Sequence, residues 1–162
     1  METVVRKVRQ LKVTVRAREW CRLCYPNHPR GCPNYGIKKG CPPSYPMIEK
    51  VFDLARPIYI VAIKFDLAAQ IAKIRNLHPG WTNKQCRNLR YWQGTVRARL
   101  KSEVARVLAQ GRFGDRAEFS PEAAGVNTNL TCLHSGIKLE WPPRQYVYMV
   151  ALVGFNKKGA SQ

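Results

Sequence analysis

The sequence predicts an α/β or α+β fold, a single domain over residues 1–162, and three observations carry that prediction. Its length is that of one domain, with no linker or repeat to divide it. Hydrophobic residues make up 45% of the chain, enough to bury a core and to exclude global disorder. Short apolar runs of strand character alternate with stretches of helical periodicity, the pattern of a small central sheet with flanking helices.

Val4 to Val15 alternates Val and Leu with basic residues and predicts a half-buried strand with one basic face. Residues 21–46 hold six prolines and three glycines, so no regular element is expected there. Met47 to Ala55 reads as a short helix. Ile58 to Phe65 is a near-continuous apolar run between Pro57 and Asp66, the pattern of a buried central strand. Leu67 to Leu77 reads as a helix stopped by Pro79-Gly80. A long basic amphipathic helix is predicted over 83–110, with Leu89, Trp92, Val96, Leu100, Val104 and Val107 on its apolar face. Pro121 to Ser135 contains another helix, Gln145 to Phe155 a final strand, and 156–162 a polar tail.

Charge narrows the partners. Lys and Arg number 28 against 10 Asp and Glu, a formal charge of +18. A domain so basic repels itself unless an anion screens it, which argues against a small-molecule enzyme that never meets a polyanion. The excess is uneven: residues 1–45 carry net +8 and residues 84–112 net +7. A basic patch built from both segments is expected to bind nucleic acid, RNA foremost. The candidate contacts are Arg6, Lys7, Arg9, Lys12 and Arg16 near the N-terminus and Lys38 and Lys39 in the loop. Arg87, Arg90, Arg97 and Lys101 complete the set from the long helix. Tyr25, Tyr35, Tyr45, Trp81 and Trp92 supply rings, some of which would stack on bases although most belong in the core.

No export signal opens the chain, and its longest apolar runs fall well short of the roughly 20 residues that span a membrane. A cytoplasmic protein with no membrane partner is therefore expected. In a reducing compartment its six cysteines point to metal or catalysis before disulfides. Cys21, Cys24, Cys32 and Cys41 form a C-x2-C-x7-C-x8-C set inside the breaker-rich loop. A metal would replace the backbone ladder that such a loop lacks. Zinc sites usually present two tight pairs, whereas only Cys21 and Cys24 are close here. Cys32 and Cys41 each precede proline, as in bacterial ferredoxin-type loops. An iron–sulfur cluster, 4Fe-4S, is thus favoured, with Zn as the alternative. His28 is a lesser candidate ligand, and Cys86 and Cys132 read as buried small side chains.

The string from Cys32 through Gly36 (Cys-Pro-Asn-Tyr-Gly), followed by Cys41-Pro42-Pro43, resembles an uncharacterised family of predicted metal-binding proteins. That family pairs a C-P-x-Y-G-K segment with a downstream C-P-P. Arg90-Tyr91-Trp92 and the segment from Pro121 to Asn127 are similar to further family segments, so the resemblance spans roughly Cys21 to Pro143. It implies an iron–sulfur or metal site at the cysteine loop and says little about reaction. Many members carry a second cysteine group after the long helix. Gly111 to Pro121 has none, so one cluster is expected rather than a two-cluster relay.

Three functions remain open at this point. The preferred one is a metalloprotein that binds RNA. The second is an iron–sulfur enzyme that inserts or removes sulfur on a tRNA base, with Cys21, Cys32 and Cys41 leaving one iron open. Against it, the chain lacks a G-x-x-x-x-G-K-[ST] loop and a C-x3-C-x2-C motif. The third is an electron carrier steered to an acidic partner.

Overall fold

The apolar run after Pro57 forms β2 (Tyr59–Asp66), the strand around which the molecule is built. The computed structural model describes residues 1–24 and 29–157. β2 lies between the N-terminal strand β1 (Glu2–Lys7) and the C-terminal strand β4 (Tyr146–Gly154), and a short strand β3 (Arg116–Glu118) closes the other edge. The order is β1-β2-β4-β3 with every pairing antiparallel, so the fold is α+β.

Alternation along the strands makes two apolar faces. Val4, Ala62 and Val150 stand in register on one face, and Val5, Val61 and Ala151 on the other. The first face packs Ile60, Ala62 and Leu152 against α2 (Ile48–Val51), Phe52, Val126 and α6 (Thr128–His134). The second packs Val61, Ile63 and Val153 against Leu67 of α3 (Leu67–Leu77) and against Val96, Leu100, Val104 and Val107 of α5 (Gln93–Leu108). The sheet is therefore sandwiched, with α3 and α5 on one side and the cysteine loop's neighbours on the other.

Local chemistry sets the boundaries. The Asp66 carboxylate accepts from the Ala69 amide at 2.8 Å and starts α3 within one residue of the strand's end. The Asn127 side chain does the same for α6, accepting from Leu130 at 3.0 Å. Gly114, at φ +142°, passes so close to the Gly154 backbone that any Cβ would overlap it, which seats β3 beside β4.

Four expectations need correction. The helix predicted over 83–110 is three pieces: α4 (Asn83–Cys86), a 3-10 turn at Leu89–Tyr91, and α5. The Asn88 side chain accepts from the Arg90 amide at 3.0 Å, a local bond that competes with helix. Trp92 then leaves helical backbone to bury itself against Phe65, ring centroids 5.5 Å apart. The first strand stops at Lys7, and the chain to Val13 instead runs along α6, with Lys12 donating to Thr131 Oγ1 at 3.1 Å. The helix expected over Met47 to Ala55 is the single turn α2, whereas the one expected within Pro121 to Ser135 is present as α6. The tail is not free from its first residue, because Asn156 bridges Phe52; its end lies outside the described residues.

Candidate metal centre and basic surfaces

Cys21 lies in a 3-10 turn, Trp20–Arg22, that follows α1 (Arg16–Glu19). The Cys32 amide donates to the Cys21 carbonyl at 2.7 Å, bringing the second half of the loop back onto the first. Gly31 makes that approach possible. Its φ is +79°, and a Cβ would lie 2.7 Å from backbone atoms of Cys21 and Arg22. Further on, Gly36 donates to the Pro42 carbonyl at 2.8 Å, and Cys41 to the Lys38 carbonyl at 2.8 Å. The Arg18 guanidinium donates to the carbonyls of Pro43 and Tyr45, each at 2.6 Å. The loop thus has turn bonds and an arginine anchor of its own, more backbone support than its composition led one to expect.

Cys21, Cys32 and Cys41 are half-buried and Cys24 is exposed. All six cysteines are free thiols. Burial pushes the Cys21 thiol up, with smaller upward contributions from the neighbouring Cys32 and Cys41 and from the Glu122 charge. Among the described residues, no three His, Cys, Asp or Glu side chains are drawn close enough to hold a single metal ion. A tetrahedral zinc would require thiolates about 3.8 Å apart, from Zn–S bonds of about 2.3 Å. Thiolate is the donor type that soft metals and iron–sulfur clusters take, but the loop as described does not draw three such donors together. Tyr25 and His28 lie outside the described residues.

Glu122 was not legible as a neighbour of this loop. It is half-buried, and its charge acts on Cys132 as well as on Cys21. Burial first and Glu122 second push that thiol up to about 12. Its only sequence signal was its place in the Pro121 to Asn127 segment. Cys86 and Cys132 are fully buried, as expected for small apolar side chains.

The predicted basic contacts divide into two groups. Arg6 lies in β1 on the face that packs Val4, Arg9 and Arg16 are exposed nearby in sequence, and Lys38 and Lys39 are exposed on the cysteine loop. Lys12 is half-buried and held by its backbone between Thr131 and Asn127. Lys7 points to the opposite sheet face from Arg6. Arg97 and Lys101 line the exposed side of α5, and Arg87 and Arg90 are exposed just before it. The cysteine loop reaches the first sheet face through Tyr45, whereas α5 covers the second. The sheet thus separates Arg6 from the α5 cations, whereas Lys7 shares the side that α5 covers.

Few of these charges are neutralised internally. Among the described residues, the basic side chains in ion pairs are Arg22, Lys64, Arg99 and Arg106. Glu103, the one acid of the 84–112 segment, takes both Arg99, at 2.8 Å, and Arg106, at 2.9 Å. Of the candidate stacking rings, Trp92 is buried, Tyr35 and Tyr45 are half-buried, and Trp81 stacks on His78. Among the described residues, no helix is long and apolar enough to cross a membrane. No family model, curated protein or solved structure gives a significant match to the chain, so the family resemblance rests on the quoted motifs alone.

Proposed function

We propose that this chain is a cytoplasmic metalloprotein that binds nucleic acid, RNA foremost, through its basic surfaces. The observation that carries the reading is the set of unneutralised cations: 28 basic residues face 10 acids, and ion pairs among the described residues engage only the four named above. Surface cations in such excess gain most from phosphates, whose condensed counterions they release. Cys21, Cys32 and Cys41, with Cys24 as a fourth donor, would hold an iron–sulfur cluster, 4Fe-4S before zinc. When bound, that group would cross-link the loop and add folding energy to its turn bonds.

The test is protein purified without oxygen, assayed for iron and acid-labile sulfide and titrated with labelled RNA over a salt series. About four iron and four sulfide per chain, with log K falling linearly against log salt, are expected. One zinc per chain would replace the cluster with a structural ion. RNA affinity that is absent, or flat with salt, would overturn the nucleic-acid reading.

The exposure of Cys24, against the half-burial of Cys21, Cys32 and Cys41, favours a second reading in which three cysteines ligate and one iron stays open for chemistry on a base. Cys24→Ser decides it: a variant that keeps its full iron content supports an open site, and one that loses the cluster excludes it.

A further inference from the structure

Residues 67–102 contain eight Lys and Arg and not one Asp or Glu. The same stretch carries a stack of rings on the surface. His78 and Trp81 are parallel, with centroids 3.9 Å apart and planes 9° from each other, and Tyr91 lies 5.7 Å beyond Trp81 at a tilt of 34°. These rings are not core. His78 is exposed and Tyr91 is 42% exposed, whereas Trp92, the next residue, turns inward to the second sheet face. The Arg87 guanidinium donates to the Pro143 carbonyl at 2.5 Å and tethers the loop of Trp141 to the end of α4. Trp141 is 88% exposed, the most exposed of the large apolar side chains.

His78, Trp81 and Tyr91 pack on one another with Trp81 half-buried, and a ring cluster left open to solvent in this way marks a contact surface. The chemistry around this one selects the partner. Lys84 and Arg90 are exposed in the same stretch of chain as the rings, and no carboxylate in that stretch opposes a polyanion. Parallel rings offer π-faces to flat groups, and cations set among them match a phosphate chain. Single-stranded nucleic acid presents both together, whereas a duplex hides its base faces.

We infer that His78, Trp81, Tyr91 and the tethered Trp141 form a stacking platform for unpaired bases, with Lys84 and Arg90 as phosphate contacts. The inference rests on the nucleic-acid reading and adds to it: the bound form is single-stranded, and its bases contact this end of the α5 side.

The experiment compares a labelled 12-nucleotide oligo-uridine with an RNA duplex of equal length, using wild type, Trp141→Ala, Tyr91→Ala and Lys84→Gln/Arg90→Gln. Trp141 is so exposed that its removal should leave the thermal midpoint unchanged, which separates loss of stacking from loss of fold. Each ring variant should weaken oligo-uridine binding about tenfold, the scale of one base–aromatic stack, with an unchanged salt slope and unchanged duplex binding. The double charge variant should flatten the salt slope instead. Ring variants that bind oligo-uridine as wild type does, or lose single strand and duplex equally, would overturn the platform and leave the nucleic-acid reading standing. Wild type that binds neither RNA would overturn both. Trp141-dependent binding of poly-glutamate, without oligo-uridine binding, would assign the face to an acidic protein.

Discussion

The Tyr45 hydroxyl donates to the Glu118 carboxylate at 2.5 Å, joining the end of the cysteine loop to the edge strand β3, 73 residues later in the chain. Glu118 is buried and also accepts from the Ser120 amide at 2.6 Å, so both of its oxygens are occupied. Burial, then the bond to Glu118 and its negative charge, hold the Tyr45 phenol up at about 12, against an opposing pull from Arg116.

Tyr45→Phe removes the donor and leaves a buried carboxylate oxygen without its partner, a loss of about 1–3 kcal/mol that a denaturant melt would measure. The pH dependence follows from the sign of the shift. A phenol raised in the folded state stabilises fully below its unfolded value near 10 and loses that contribution as pH climbs to about 12. Wild type should therefore lose more stability than Tyr45→Phe between pH 10 and 12. Parallel melts across that range would exclude the coupling.

Gly31→Ala places a methyl against backbone that cannot turn aside, at a φ that an L side chain rarely adopts. The Cys32–Cys21 bond should open, leaving a folded sheet with a loosened loop. Hydrogen exchange would show this as lost protection at the Cys32 amide, with β2 and β4 amides unchanged. A Cys32 amide protected as in wild type would contradict the assignment.

Glu103→Gln should move two measurements in opposite directions. Removing the buried charge breaks its pairing with Arg99 and Arg106, lowering stability by about 1–3 kcal/mol. The same change frees two guanidinium groups on the α5 surface, so RNA affinity at low salt should rise and the salt slope steepen by about one contact. A slope that does not change would place the RNA elsewhere.

Glu140 accepts from the amides of Tyr146, at 2.9 Å, and Gln145, at 2.8 Å, and those bonds hold its carboxyl below the usual value. A depressed carboxyl stabilises above its unfolded pKa, near 4.5, and loses that contribution as pH falls through the folded value. Glu140→Gln should melt below wild type at pH 7, and the gap should close below pH 4. A gap that persists in acid would show packing rather than charge.

The periodic signals were legible and the tertiary ones were not. β2, α3 and β4 follow directly from an apolar run, a three-to-four spacing and an Asp66 cap, all written within the segment itself. The break before α5 depends on Trp92 finding Phe65, which lies 27 positions earlier and leaves no trace in the local pattern. β3 has three residues, Arg-Ala-Glu, too short and too polar to announce a strand; β4 selects it by pairing. The cysteine loop could be delimited from its prolines and thiols, but its tie to Glu122 and Glu118 is made through space. Charge counting found both basic segments and could not tell that a sheet would come between Arg6 and the α5 cations.

That separation has a mechanical consequence. A packed layer on each face of the sheet puts the fold between cations carried on α5 and those carried on the opposite side. Exposed charges further apart than the Debye length, about 8 Å at physiological salt, are largely screened from one another. If both sides take part in the proposed nucleic-acid binding, the molecule would be bivalent, and a second contact on one long polyanion would gain from effective concentration rather than from added affinity.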